Sequence, residues 1–283
     1  MKLSFTVEKE FSGLTAENYL RNVKNVSKRL ITRLKRETGG MLRNGELLRS
    51  IDKVFEGDEI LLSMQDTASV TEGVCNTNAP KVYEDDYLIV YNKPFSMPVH
   101  PSHRHRGDTL SDVFLSEYPT LTFHAVNRLD KDTSGLCIVA KDRYCTAALQ
   151  KGSIRKIYTA IVSGIMQDKK GIIDLPIARE QESIIKRVVR DDGQRAVTEY
   201  EVIAERENYS FVKILLHTGR THQIRVHFSH IGHPLLGDDL YGADTSLISR
   251  QALCCTSLEF VHPVSNENIF VECQLPDDMK KLL

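Results

Sequence analysis

No stretch of this 283-residue sequence approaches the roughly 18 consecutive apolar residues that a membrane-crossing helix needs, so no membrane contact is expected. None of its six cysteines stands in a Cys-x-x-Cys pair or a metal-finger spacing. Reduced thiols in a cytosolic protein are the simplest reading, which sets aside disulfide frameworks and zinc ribbons. Also missing are a His-Glu-x-x-His pattern, a phosphate-cradling glycine loop, an internal repeat and a low-complexity tract. With a formal net charge of -1, no global basic field points to nucleic acid or an anionic membrane. The first residues, MKLSFTVEKE, alternate charged and apolar positions where a secretory signal would carry an apolar run. A soluble cytoplasmic protein is the expectation.

The charge that is present is unevenly placed. Between Arg21 and Arg49, nine Lys or Arg stand against two acids, Glu37 and Glu46. In residues 14–38 the apolar positions Leu20, Val23, Val26, Leu30, Ile31 and Leu34 recur at roughly helical spacing, which predicts a helix stopped by Gly39 and Gly40. MLRNGELL reads as a hairpin around Asn-Gly, and VFEGDEILLSM as a further strand. The chain is therefore divided into a small helical and hairpin domain at 1–64, a polar linker at 65–80 and a large domain at 81–283. In the large domain YLIVY, GLCIVAKD, KIYTAIVSGIM, AVTEYEVIAE, YSFVKILLHTG and SLEFVHP read as strands. Only two helices are expected there, one from Asp142 as N-cap to Gly152, the other from Thr221 as cap to Gly232. Few helices among many strands make the fold class α+β, with a mainly antiparallel, mixed sheet.

Two stretches carry chemistry. In NRLDKDTSG, an extended backbone sends Arg128 and Asp130 to one side and Asn127, Leu129 and Lys131 to the other. Leu129 can then anchor in the core while Asp130 faces outward beside a cation, which favours an ionised carboxylate. On spacing alone the blander reading stands ahead, in which Asp130 caps a turn or pairs with Arg128 at the surface. In THQIRVHFSHIG, Ile224, Phe228 and Ile231 form an apolar helix face, and Arg225 falls in the first turn, where the helix dipole disfavours a cation. A carboxylate partner such as Asp130 would compensate, although an exposed Arg225 at negligible cost is an equal reading. The crowded histidines, 100, 103 and 105 and again 217, 222, 227, 230 and 233, have cations interspersed and no metal-site spacing, so no metal is expected. Tyr158, two residues after Lys156, is either a half-buried strand tyrosine or a base-stacking platform.

Taken in order, VYEDDYLIVYNKP, NRLDKDTSGLCIVAKD, KIYTAIVSG and TGRTHQIRVHFSHIGHPLLGDDLYG resemble the RluA family of RNA pseudouridine synthases over essentially all of residues 81–283. Four separated blocks in the right order are far more specific than any single motif. Residues 1–64 resemble, less closely, the small alpha-L RNA-binding domain that often precedes this catalytic domain. The resemblance implies that Asp130 is the catalytic aspartate, Arg225 its arginine partner and Tyr158 the tyrosine that stacks on the target uracil and takes part in proton removal. It implies that Arg128 holds the place and backbone of a flipped nucleotide, and that Ile224 packs near the base with Lys156 beside it in the substrate site. The family block usually begins His-Arg-Leu-Asp. Here Asn127 stands first, from which an altered supporting hydrogen bond, not lost activity, is expected.

The reaction this resemblance implies is isomerisation of uridine within RNA, with no metal, nucleotide or redox cofactor. The partner is RNA, most often large-subunit ribosomal RNA and otherwise transfer RNA, bound by a monomer that needs no obligate protein partner. Lys28, Arg29, Arg33, Lys35 and Arg36 would track its phosphates. An aspartyl-phosphate enzyme would need further acidic ligands and a parallel sheet, and a glycoside hydrolase two opposed carboxylates. The alternative of a different class is a non-catalytic RNA-binding or ribosome-assembly module that retains the fold. Asp130, Tyr158 and Arg225 together argue against it, since binding alone needs no such set.

Overall fold

The computed structural model describes residues 2–63, 75–102, 105–181, 183 and 185–283. Residues 65–74 of the expected linker lie outside the described residues, as does His103. Strands β1 (Lys2–Thr6), β2 (Met41–Arg43), β3 (Glu46–Leu47) and β4 (Glu59–Ser63) form an antiparallel sheet in the order β1-β4-β2-β3. Asn44 and Gly45, at φ 54° and 87°, make the two-residue turn of the β2–β3 hairpin, as Asn-Gly implied. The long helix expected over residues 14–38 is instead broken. A short α1 (Ala16–Asn18) runs into a π-turn at Tyr19–Val23, and Asn25 then ends the helical run at φ 55°. Helix α2 (Lys28–Leu34) restarts with the Ser27 side chain accepting the Leu30 amide. The apolar spacing continues across the break because both pieces face one core.

In the rest of the chain, β5 (Lys81–Glu84), β6 (Leu88–Lys93), β7 (His124–Ala125), β8 (Ser134–Ala140), β9 (Arg155–Ser163) and β10 (Lys170–Asp174) belong to one large sheet. A separate hairpin, β11 (Ile177–Arg179) and β12 (Arg187–Val189), comes next; β13 (Val197–Arg206), β14 (Tyr209–Leu216), β15 (Leu253–Val261) and β16 (Asn268–Glu272) return to the large sheet. Its order is β10-β13-β14-β9-β15-β8-β6-β5, with β16 beside β15 and β7 beside β8. Among the described strands only β8 and β15 pair in parallel, so the α+β, mainly antiparallel reading holds. Every residue of β8 is buried, as its LCIVA run implied. At the β8–β15 junction Gly135 has φ 106°, and a Cβ there would sit 2.2 Å from the Cys255 carbonyl oxygen. Glycine alone lets the two strands meet, at the point where the Asp130 loop enters the sheet.

Among the described residues four helices flank this sheet: α3 (Leu110–Glu117), α4 (Arg143–Lys151), α5 (Gln223–His230) and α6 (Asp277–Lys280). Helix α4 starts as expected, with the Asp142 carboxylate accepting the Cys145 amide. Helix α3 is not among the two helices the sequence suggests, although Thr109 and Asp112 form a complete capping box at its start. Helix α5 begins one residue later than expected, with His222 rather than Thr221 as its N-cap. Its burial is also wider than one stripe, since Gln223 through Phe228 are all buried. The core of residues 2–63 closes over Ala140 at the end of β8 and over Tyr144 and Cys145 in the first turn of α4, where the Phe5 and Tyr144 rings meet edge-on at 5.9 Å.

Candidate active site

The stretch before β8 is held from both sides. Strand β7 ends at Ala125, and two residues later the Asn127 side chain continues its ladder: Oδ1 accepts the Ile138 amide at 2.7 Å and Nδ2 donates to the Leu136 carbonyl at 3.2 Å. A carboxamide offers the same donor and acceptor pair as a peptide group, so Asn127 substitutes for a missing strand residue. These two bonds are the support that Asn127 gives the loop. Leu129 is buried, and the Thr133 amide closes a turn onto the Asp130 carbonyl at 3.1 Å.

Beneath the turn lies Lys93, fully buried, whose ammonium donates to the carbonyls of Pro94 (2.9 Å), Met97 (2.8 Å) and Lys131 (3.0 Å). Three donors meet three acceptors. Burial pushes its pKa down to about 8. The next carbonyl, that of Asp132, accepts from Arg250 Nη1 at 3.2 Å, while Arg250 Nε and Nη2 grip Asp278 at 2.7 and 2.9 Å. Buried cations therefore fix two consecutive carbonyls immediately after Asp130, whose own carboxylate stays partly exposed.

Helix α5 supplies the guanidinium. Arg225 Nη1 donates to Asp130 Oδ2 at 3.1 Å, joining residues that are 95 positions apart. Its other edge makes a two-pronged pair with Asp238, Nε to Oδ2 at 2.6 Å and Nη2 to Oδ1 at 2.8 Å. The Asp238 side chain is completely buried. Gly237 makes this turn possible: at φ 73°, a Cβ would lie 2.1 Å from the Arg250 carbonyl oxygen. Burial alone would lower the Arg225 pKa, but the bonds and charges of Asp238 and Asp130 reverse that and raise it. Tyr241 lies against the guanidinium at 5.0 Å. The cation beside Asp130 is thus Arg225. Arg128, expected on the same side as the aspartate, is exposed at the rim and is not within 4 Å of it among the described ion pairs.

Asp130, Arg225, Arg128, Ile224, Lys156 and Tyr158 line one cleft of about 400 Å³, within the range of about 300–1,000 Å³ usual for small-molecule sites. Tyr158 sits in β9 opposite Cys255 and Ile214 and is buried. Burial, with Cys255 and Asp130 nearby, holds its phenol well above the ordinary range and so protonated. Lys156 is half-buried, with its pKa lowered by burial. Ile224 presents an apolar wall. The histidines go separate ways: His217 to Glu199, His227 between the Thr198 hydroxyl and the Leu175 carbonyl, His233 to the Ser163 carbonyl, and His222 toward Asp130. In the N-terminal part Lys28, Arg29, Lys35 and Arg36 are exposed, with Lys35 3.3 Å from Glu17. Arg33 is half-buried against Glu37 at 3.4 Å. Asp238, Lys93, Arg250 and His222 were missed as contributors, and only the Gly-Asp-Asp turn hinted at the first.

Residues 87–230 match the model of the RNA pseudouridylate synthase family. The chain is 39% identical over 268 residues to the RNA pseudouridine synthase YjbO of Bacillus subtilis, covering 91% of this chain and 94% of that protein. It is 36% identical over 267 residues to ribosomal large subunit pseudouridine synthase D of Pseudomonas aeruginosa, covering 87% and 83%. Among solved structures it is similar to human RNA pseudouridylate synthase domain containing 1, with a TM-score of 0.59 and 25% identity over 70% of this chain and 83% of that one.

Proposed function

Because the chain belongs to the RNA pseudouridylate synthase family, enzymes that isomerise uridine in RNA, we propose that it acts on large-subunit ribosomal RNA with Asp130 as its reacting carboxylate. The observation that carries this reading is the convergence of Asp130, Arg225, Tyr158 and Ile224 on one cleft from three separate stretches of chain. The name of the Pseudomonas relative supports the choice of ribosomal RNA. Transfer RNA is the alternative substrate.

The target uridine leaves its stack, at a cost of a few kcal/mol, and enters the cleft. Arg128 at the rim is suited to the vacated position and its phosphate. The uracil lies against Tyr158 and Ile224. Asp130 then acts as a nucleophile on the nucleotide or as a base on the ribose while the bond from C1′ to N1 breaks. The base turns over, C1′ bonds to C5, and the C5 proton leaves as N1 gains one. Atoms and electrons balance within the nucleotide, so the net change draws on no redox or group-transfer partner. Tyr158, kept as a neutral phenol, is better fitted to grip the detached uracil than to start as a phenolate base. Arg225 fixes Asp130 with a charged hydrogen bond. Residues 1–64 form the RNA-attracting domain of this scheme, with Lys28, Arg29, Lys35 and Arg36 as its outward cations and Arg33 contributing less.

Asp130→Asn should abolish conversion of ribosomal uridine to pseudouridine, read by chemical mapping, while RNA affinity survives. Wild-type conversion by that variant would sink the role of Asp130. A wild-type protein that binds but never converts ribosomal or transfer RNA would point to an assembly module.

A further inference from the structure

Asp130 is approached by one more group, which the roles above leave idle. His222 Nε2 lies 3.7 Å from Asp130 Oδ2, the same oxygen that accepts the Arg225 hydrogen bond. His222 caps α5 at φ 57° and ψ 19°, a left-handed conformation that residues with a Cβ rarely adopt, and its side chain makes no capping bond. Polar groups before the helix are served instead by Gln223 Oε1, which accepts the Arg220 amide and the Thr218 hydroxyl. The imidazole is turned into the cleft and lines it.

Its other nitrogen, Nδ1, is 3.0 Å from the Tyr241 hydroxyl, and that hydroxyl accepts the Arg187 amide at 3.0 Å. The hydroxyl still has its proton to give, and we assign that proton to a bond onto Nδ1, which puts the histidine proton on Nε2, facing the carboxylate. The opposite tautomer would aim a lone pair at a carboxylate. Burial lowers the pKa of His222; Asp130 and Asp238 oppose this, and Arg225 and Arg187 reinforce it. At neutral pH the ring is therefore an uncharged donor.

We propose that His222 is a positioning residue for Asp130: its Nε2 stands 3.7 Å from Oδ2, just beyond hydrogen-bond reach, and closes on that oxygen when RNA fills the cleft, so that with Arg225 Nη1 it holds Oδ2 and presents Oδ1 as the reacting oxygen. The inference rests on Asp130 being the reacting carboxylate. A neutral donor orients the carboxylate without adding a second cation, which would make it a poorer nucleophile or base. Protonation of the ring in acid does add that cation, so the chemical step slows. The charged and titratable groups facing the ring are Asp130, Asp238, Arg187, Arg225 and Tyr241. Histidine is the side-chain type that ordinarily changes charge between pH 5 and 8.

The test is single-turnover conversion of transcribed large-subunit ribosomal RNA by the full chain, with affinity measured in parallel across pH 5 to 9. His222→Leu should slow conversion roughly tenfold to a hundredfold, the cost of misaligning a reacting group by about 1 Å, with Kd within about twofold. His222→Gln, which keeps an N–H within reach, should recover most of that rate and lose the acid limb of the wild-type profile. A Leu variant as fast as wild type, a loss confined to affinity, or a Gln variant as slow as Leu overturns the proposal. Asp130→Asn is run beside them. If it converts normally, the reading of Asp130 and this proposal fall together; if it is dead while His222→Leu is unimpaired, only the proposal falls.

Discussion

Two basic regions of this molecule use their charge in opposite ways. Around the Asp130 loop, Lys93, Arg225 and Arg250 are buried, and each is committed to a fixed set of oxygens. Along α2 and just beyond it, Lys28, Arg29, Lys35 and Arg36 are exposed, and only Lys35 has an ion pair among the described residues. A buried cation must be satisfied by position, so it dictates geometry, and removal of its partner is expensive. An exposed cation contributes a field that salt screens and that tolerates substitution. The first region can place a reacting group, whereas the second can attract a polyanion without fixing it.

The largest effect is expected at Asp238. Asp238→Ala leaves the Arg225 guanidinium buried with a single bond to Asp130 in place of three, and stability should fall by about 3–5 kcal/mol in denaturant unfolding, with conversion lost. A cost below about 1 kcal/mol would show that water readily reaches this arginine, and the contrast between the regions would collapse.

Lys93 tests the contrast by pH. Its pKa is pushed down to about 8 by burial, so above pH 8 the neutral amine has two donors for three carbonyls and the loop loosens. Conversion by wild type should be half lost near pH 8 and fall further above it, whereas Lys93→Met should be slow and flat across that range. Stability moves the other way. Between pH 8 and the ordinary lysine pKa the unfolded chain binds the extra proton, so wild type should gain stability relative to Lys93→Met as pH rises. If stability and conversion fell together, loop loosening would not be the cause.

A smaller loss is expected at Asn127. Asn127→Ala strands the Ile138 amide and the Leu136 carbonyl inside the sheet, which should cost about 1–3 kcal/mol in thermal unfolding. A change below about 0.5 kcal/mol would mean that other groups take up those bonds.

What could be read from the sequence was local. The strands, the Asn44-Gly45 turn and the Asp142 cap each arise from side chains within a few positions of the backbone they organise. The Asp130, Tyr158, Ile224 and Arg225 cleft was accessible only through the ordered blocks, because its members are far apart in the chain. Asp238, Lys93 and Arg250 were hidden for a different reason. Each works through a partner in another stretch, and nothing near Lys93 distinguishes a buried ammonium from a solvated one. Helix α5 misled in the same way: its apolar stripe is real, but polar residues on its other sides are buried against partners such as Thr198 and Asp238. The broken helix over residues 14–38 shows that a helical period survives a break when both pieces pack on one core.

The smallest structural effect, and the clearest view of the second region, should come from Lys28→Gln, Arg29→Gln, Lys35→Gln and Arg36→Gln combined. Each exposed change should alter stability by no more than about 0.5 kcal/mol. RNA affinity should weaken, and the slope of log affinity against log salt should flatten by about 0.7–0.9 for every phosphate contact removed. Arg33→Gln provides the contrast within the same helix. Its guanidinium is half-buried against Glu37, so it should lower stability more than any one of the four and change the salt slope less. If the combined variant kept the wild-type slope, attraction of RNA would have to come from cations nearer the cleft, such as Arg128. The exposed charges of α2 would then be a solvated helix face.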